Sequence, residues 1–336
     1  MLKTLVKAAT ACALVAAMPA DAQEHARLQW VTLHSPAVEG NLEGNSAERT
    51  ALVVTPPGYD ENPGKRYPVV YFLHGYWATP QMYQDMAKFE EAVDGAAAQG
   101  NDVILVMPDG HSKLKGGFYS SSPTVGDYET FVAQDLVSWV DGNYRTIANR
   151  ESRGLAGHSM GGYGTIRVAM KHPGVFSSIY MMSACCLDPM QMTAEQAKNI
   201  EAMTEDEIAA AQFNQLAAVS TLATWSPDPT DDGFLKVYTG LKEDGTIDPL
   251  VNQRLAANSP LVILPQYVPA LNGLEAFAID IGDKDFLLQG NRAFMAELDR
   301  FAVKYDFELY EGDHGNRIAE RIRTDVLPFF AQHLDK

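Results

Sequence analysis

The sequence predicts an α/β fold, with a mostly parallel central sheet, helices on both faces and one inserted segment. Three observations carry this. Apolar runs of strand length alternate with helix-period stretches along most of the 336 residues, the rhythm of parallel strands joined by crossover helices. The run Gly157-His158-Ser159-Met160-Gly161 falls at the junction of one such strand and one such helix. A single long stretch, residues 187–265, breaks the rhythm. An apolar content of 46% and a charged content of 21% describe an ordinary globular chain, long enough to bury a large core.

Taken in order, residues 1–22 read as an export signal. Lys3 and Lys7 precede a short apolar run, Ala8 to Met18, and Ala20-Asp21-Ala22 supplies a cleavage site before Gln23. Residues 23–336 are expected to form one domain. Strands are expected at Leu28 to Leu33, Arg49 to Val54, Pro68 to Leu73 and Val103 to Met107. Each is an apolar or alternating run stopped by turn residues. Helices are expected from Gln81 to Ala98 and from Tyr128 to Asn143, the second with Phe131, Leu136, Trp139 and Val140 on one side. Arg153 to Gly157 reads as a short buried strand. Met160 to Met170 reads as a helix closed by Lys171-His172-Pro173-Gly174. Val175 to Met182 is a further strand. Leu187 to about Pro265 is acidic and helix-prone up to Ala218, then rich in Asp and Pro. We read it as a cap inserted over the sheet. The alternation resumes with strands at Glu275 to Ile281 and Phe307 to Tyr310, and helices at Gly290 to Tyr305 and Ile318 to His333.

Charge and cysteine content narrow the partners. The chain carries a net charge of −17, and loss of a segment with two lysines and one aspartate leaves it more acidic still. This argues against nucleic acid or anionic lipid as the main partner. No apolar run reaches the roughly 18 residues that span a bilayer, so no stable membrane insertion is expected. Past the leader only Cys185 and Cys186 remain. They read either as buried thiols or as a strained disulfide between neighbours, and their spacing is not that of a zinc site.

The chemistry centres on Ser159. In G-x-S-x-G the serine sits on a sharp strand-to-helix turn that exposes its hydroxyl. A serine hydroxyl needs a base to take its proton and a third group to orient that base. Of the histidines that follow, His314 is favoured because Glu311-Gly-Asp-His-Gly315 lies just past a strand, where site residues of parallel sheets collect. His172 and His333 are the rivals. The acid is sought after the preceding strand, in Gly282-Asp283-Lys284-Asp285. Asp285 is chosen, with Asp283 the main rival and Asp280 a third. Acyl transfer also needs backbone N–H donors for the developing oxyanion. Met160, next to the serine, and Tyr76, in the loop after the third strand, are the expected donors. Trp77 and Tyr119 are possible pocket walls. Such a mechanism requires no metal or organic cofactor.

These residues carry a resemblance. The chain resembles the putative-esterase group of α/β-hydrolases, which includes esterase D, feruloyl and acetyl xylan esterases, siderophore esterases and mycolyltransferases. The likeness runs from about Leu52 to Leu334. It rests on Tyr71-Phe-Leu-His-Gly75, Val106-Met-Pro-Asp-Gly110, Phe118-Tyr119-Ser120, Tyr128-Glu129-Thr130, Gly157-His-Ser-Met-Gly-Gly-Tyr-Gly164, His172-Pro173, Ile281-Gly-Asp-Lys-Asp285 and Glu311-Gly-Asp-His314. The resemblance implies an α/β-hydrolase fold, with Ser159 as nucleophile, Asp285 as acid and His314 as base. Two features depart from the group. Many relatives carry tryptophan shortly after the histidine, where this chain has Gly315-Asn316-Arg317. The cap at 187–265 matches no member of the group known to us. The expected function is an exported serine carboxylesterase, periplasmic or secreted, acting on a small-molecule or glycan-linked ester. The alternatives are an acyltransferase of the mycolyltransferase type and a non-catalytic binding protein on the same scaffold.

Overall fold

The computed structural model describes residues 25–336. The leader expected at residues 1–22 lies outside them. Eight strands form one sheet: β1 (Arg27–His34), β2 (Glu48–Thr55), β3 (Val69–Leu73), β4 (Ile104–Pro108), β5 (Arg153–His158), β6 (Ser178–Met182), β7 (Ala276–Gly282) and β8 (Asp306–Tyr310). Their spatial order is β1-β2-β4-β3-β5-β6-β7-β8. β2 runs antiparallel to both β1 and β4, and every other neighbouring pair is parallel. The five-residue strands β3, β4 and β6 are buried at every position. That burial explains why they read in sequence as unbroken apolar runs instead of alternating ones.

Helices cover both faces. α1 (Pro80–Ala87) and α2 (Phe89–Ala98) replace the single helix expected there, because Lys88 between them adopts a left-handed conformation (φ 52°). α3, residues 128–143, and α4 (Met160–Lys171) lie where expected. The core divides into two apolar clusters, one on each side of the sheet.

The segment after β6 contains α5 (Ala194–Glu201), α6 (Glu205–Ala209), α7 (Phe213–Trp225), α8 (Pro249–Ala256) and α9 (Pro260–Asn272). Thr193 with Gln196 and Thr204 with Glu207 form capping boxes that start α5 and α6. This segment is tied to residues 116–122 through α7. Ser220 Oγ donates to the Gly116 carbonyl at 2.6 Å, and Trp225 Nε1 donates to Ser120 Oγ at 3.1 Å. Ser122 Oγ in turn donates to the Ala223 carbonyl at 2.7 Å. α9 is different, since it packs against α4 as the crossover helix between β6 and β7. The sequence expects the inserted segment to run to about Pro265, and the crossover helix starts within that stretch, at Pro260. Pro265 and Pro269 lie inside α9, and prolines in helix interiors argue against a helix from sequence. The chain closes with α10 (Leu288–Arg300) and α11, residues 318–333.

Candidate active site

The C-terminal ends of β3, β5, β7 and β8 converge on one point. Ser159 occupies the turn between β5 and α4 with φ 59° and ψ −115°, a sparsely populated region that costs on the order of 1–3 kcal/mol. The flanking glycines make the turn possible. A Cβ on Gly157 would sit 2.3 Å from the Gly161 carbonyl oxygen, and one on Gly161 would sit 1.9 Å from the Leu73 carbonyl oxygen. The serine is therefore held out from the sheet by close packing of α4 on β3 and β5.

His314, in the loop after β8, places Nε2 3.0 Å from Ser159 Oγ. Its Nδ1 lies 2.9 Å from Asp285 Oδ2. Asp285 follows β7, and its other oxygen accepts the Leu287 N–H at 2.8 Å. Burial alone would raise the Asp285 carboxyl, but the hydrogen bonds from His314 and the Leu287 amide outweigh it and hold it below the ordinary value. The carboxylate is thus ionised and fixed by two donors, one at each oxygen.

The rival residues go elsewhere. Asp283 Oδ1 accepts the Gly312 N–H at 2.9 Å, which ties the β7 turn to the His314 loop. Asp280 is fully buried and pairs with Arg321 and the Tyr180 hydroxyl, each at 2.9 Å. Burial pushes its carboxyl up to about 6 against the opposing effect of Arg321. His172 caps α4 and meets Glu129 at 3.1 Å. The ring of His333 packs on Phe329 in the last helix.

The two expected oxyanion donors flank the serine. Met160 opens α4 directly after it. The Gly75–Tyr76 loop passes so close that a Cβ on Gly75 would lie 3.4 Å from Ser159 Cβ. Neither the Tyr76 nor the Met160 N–H donates to another group among the described residues.

A cavity of about 680 Å³ opens over Ser159 and His314. Its walls include Tyr76, Phe118, Met190, Phe213, Ala218 and Leu255, and no Asp, Glu, Lys or Arg lines it among the described residues. Cys185 and Cys186 also line it as free thiols. Of the aromatic walls expected from sequence, Trp77 stands behind Phe213, with ring centroids 5.8 Å apart, and does not reach the cavity. Tyr119 does not line it either. Its ring is fully buried between Gly110 and Gly164, and its hydroxyl donates to the His74 carbonyl at 3.1 Å. The glycines that face Tyr119 make room for its ring in the core, and their facing arises only in the fold. Two residues at the site carried no reading from sequence: His158, 2.8 Å from the His314 carbonyl, and Tyr83, 2.7 Å from His158. His158 stands inside the serine motif and could have been queried. Tyr83 gave no signal, because a lone aromatic on an amphipathic helix reads as ordinary core packing.

Strand order, a serine on a strained strand-to-helix turn and a histidine–aspartate pair behind it define an α/β-hydrolase architecture. The chain belongs to the family described as "Putative esterase", which matches residues 45–246. That stretch contains Ser159 and ends before Asp285 and His314. Esterase Rv1288 of Mycobacterium tuberculosis is 37% identical over 130 residues, covering 38% of this chain and 27% of that protein. An endo-1,4-beta-xylanase/feruloyl esterase of Xylanibacter ruminicola is 27% identical over 179 residues, covering 52% of this chain and 24% of that protein. The chain therefore spans about a quarter of the length of these curated relatives. A solved ferulic acid esterase superposes with a TM-score of 0.67 at 23% identity, over 93% of this chain and all of that one. This last likeness concerns the fold.

Proposed function

We propose that the protein is an exported serine carboxylesterase. The observation that carries this reading is the unbroken hydrogen-bonded line from Ser159 Oγ through His314 to Asp285. His314 Nε2 takes the Ser159 proton as Oγ attacks the ester carbonyl, and Asp285 stabilises the imidazolium that forms. The Tyr76 and Met160 amides, which have no acceptor of their own among the described residues, hold the oxyanion. The imidazolium then protonates the leaving alcohol, and water attacks the acyl-enzyme by the same route in reverse. The uncharged, mostly apolar cavity suits a neutral acyl group, on a small-molecule or glycan-linked ester. The mechanism calls for no metal or organic cofactor.

Three experiments test this reading. A panel of acyl esters, including acetyl and feruloyl sugars, is assayed with wild type and Ser159→Ala. Turnover is expected to fall by about three to six orders of magnitude in the variant. A folded Ser159→Ala protein with near-normal activity overturns the reading. Adding an alcohol acceptor separates hydrolysis from acyl transfer, since transfer yields the new ester in place of the free acid. Export is tested by N-terminal sequencing of the protein recovered outside the cytoplasm, which should begin at Gln23.

A further inference from the structure

His158 and Tyr83 form a connected chain that the proposed chemistry does not itself use. The Gly75 N–H donates to Tyr83 Oη at 3.0 Å. Tyr83 Oη lies 2.7 Å from His158 Nδ1, and His158 Nε2 lies 2.8 Å from the carbonyl oxygen of His314. A carbonyl only accepts, so Nε2 must carry the proton. Nδ1 is then an acceptor, and Tyr83 O–H donates to it. Every donor and acceptor in the chain is matched by one protonation state, neutral His158 with its proton on Nε2. With the proton on Nδ1 instead, Nε2 would face the His314 carbonyl as one acceptor against another. The imidazole is buried, and its ring centroid is 4.7 Å from that of His314. The charged or titratable groups facing it are His314 and Asp285 from the loops after β8 and β7, and Tyr83 from α1. Burial foremost, and then the neighbouring His314, depresses its pKa to about 3.

Each end of this chain meets the reacting centre. One end is the main chain of the residue assigned as base. The other is the peptide next to Tyr76, assigned as oxyanion donor. The middle is the residue before Ser159, on the rigid end of β5. We propose that His158 and Tyr83 are positioning residues, which lock the His314 loop and the Gly75–Tyr76 loop in register with Ser159 through a neutral imidazole. The inference rests on the esterase reading for its kinetic consequences, but its hydrogen bonds can be tested without turnover.

The kinetic test compares wild type with His158→Leu, His158→Gln and Tyr83→Phe on one short-chain ester, with kcat expressed per folded molecule. Leucine fills space without either hydrogen bond, and kcat is expected to fall about 10- to 100-fold, the scale of a misplacement near 1 Å. KM should change little. Glutamine offers an N–H and an acceptor that cannot be protonated, and should recover most of the loss. Tyr83→Phe breaks the bonds to Gly75 and to His158 but spares the one to His314, and should fall between the two. A purely structural role would lower melting temperature and leave kcat per folded molecule at the wild-type level. That result, or a glutamine variant as impaired as the leucine one, overturns the proposal. The second test is nitrogen NMR of the imidazoles at about pH 5, well below the ordinary histidine pKa. His158 should be neutral with its proton on Nε2. A charged ring or the Nδ1–H tautomer overturns the proposal. If wild type turns over no ester, the esterase reading fails, and the NMR result still decides the hydrogen-bond chain.

Discussion

Replacing Asp285 with asparagine isolates the role of its charge with almost no change of shape. Asp285 Oδ1 accepts the Leu287 N–H at 2.8 Å, while Oδ2 faces His314 Nδ1 at 2.9 Å. In Asp285→Asn the amide oxygen must stay on Leu287, because an NH2 there would face another donor. The NH2 group is then turned toward His314 Nδ1. His314 responds by accepting at Nδ1 and carrying its proton on Nε2, the atom 3.0 Å from Ser159 Oγ. That nitrogen can no longer take the serine proton. The expected loss in kcat is about 10⁴-fold, equivalent to about 5 kcal/mol of barrier. Asp283→Asn is the matched control. Its Oδ1 accepts the Gly312 N–H, and an amide oxygen can do the same, so kcat should stay within about tenfold and stability within about 1 kcal/mol. Both variants are assayed on one short-chain ester, with melting curves to confirm folding. If Asp285→Asn keeps a tenth or more of wild-type kcat while Asp283→Asn loses four orders of magnitude, the tautomer argument is wrong and the acid lies two residues earlier.

Three further outcomes are expected. Gly161→Ala drives a Cβ to 1.9 Å from the Leu73 carbonyl oxygen, which is rigid backbone, so the variant should lose about 3 kcal/mol or more, read as a collapse in soluble yield or melting temperature. Burial would raise the Glu129 carboxyl, but the His172 hydrogen bond and the charges of Arg167 and Lys171 prevail and hold it at about 2. A depressed folded-state pKa stabilises the protein above the ordinary carboxylate value and is lost as pH falls toward 2. Glu129→Gln should therefore cost on the order of 3 kcal/mol at neutral pH, by denaturant titration, with the difference shrinking below about pH 4. Ala218 lines the cavity from α7. Ala218→Trp should leave acetyl ester kcat/KM near wild type and lower that of longer acyl esters by about tenfold or more, since each buried methylene is worth about 0.8 kcal/mol.

Much of the framework was legible because it is local. All eight strands stand where apolar runs bounded by turn residues predict them, and the Ser159 turn announces itself through glycines whose spacing has a steric cause. Asp285 and His314 were reachable because chain order and strand ends constrain where such groups can lie, and the structure brings both to Ser159. What sequence hid depends on tertiary contact. Lys88 breaks a helix without proline or glycine. α9 forms despite Pro265 and Pro269 because it is packed against α4. Tyr119 belongs to the core because glycines from two distant segments make room for its ring. The link between Tyr83 and His158 joins residues 75 positions apart, and no local pattern encodes it.

The most direct test of the central claim is to trap the covalent intermediate. The protein is quenched in acid within the first turnovers of an activated ester, digested, and the peptides are weighed. The acyl mass is expected on the peptide containing Ser159 and at no other residue, and it should be absent from Ser159→Ala. Acyl mass on Cys185, Cys186 or another side chain, or steady turnover by Ser159→Ala with no adduct, contradicts the account.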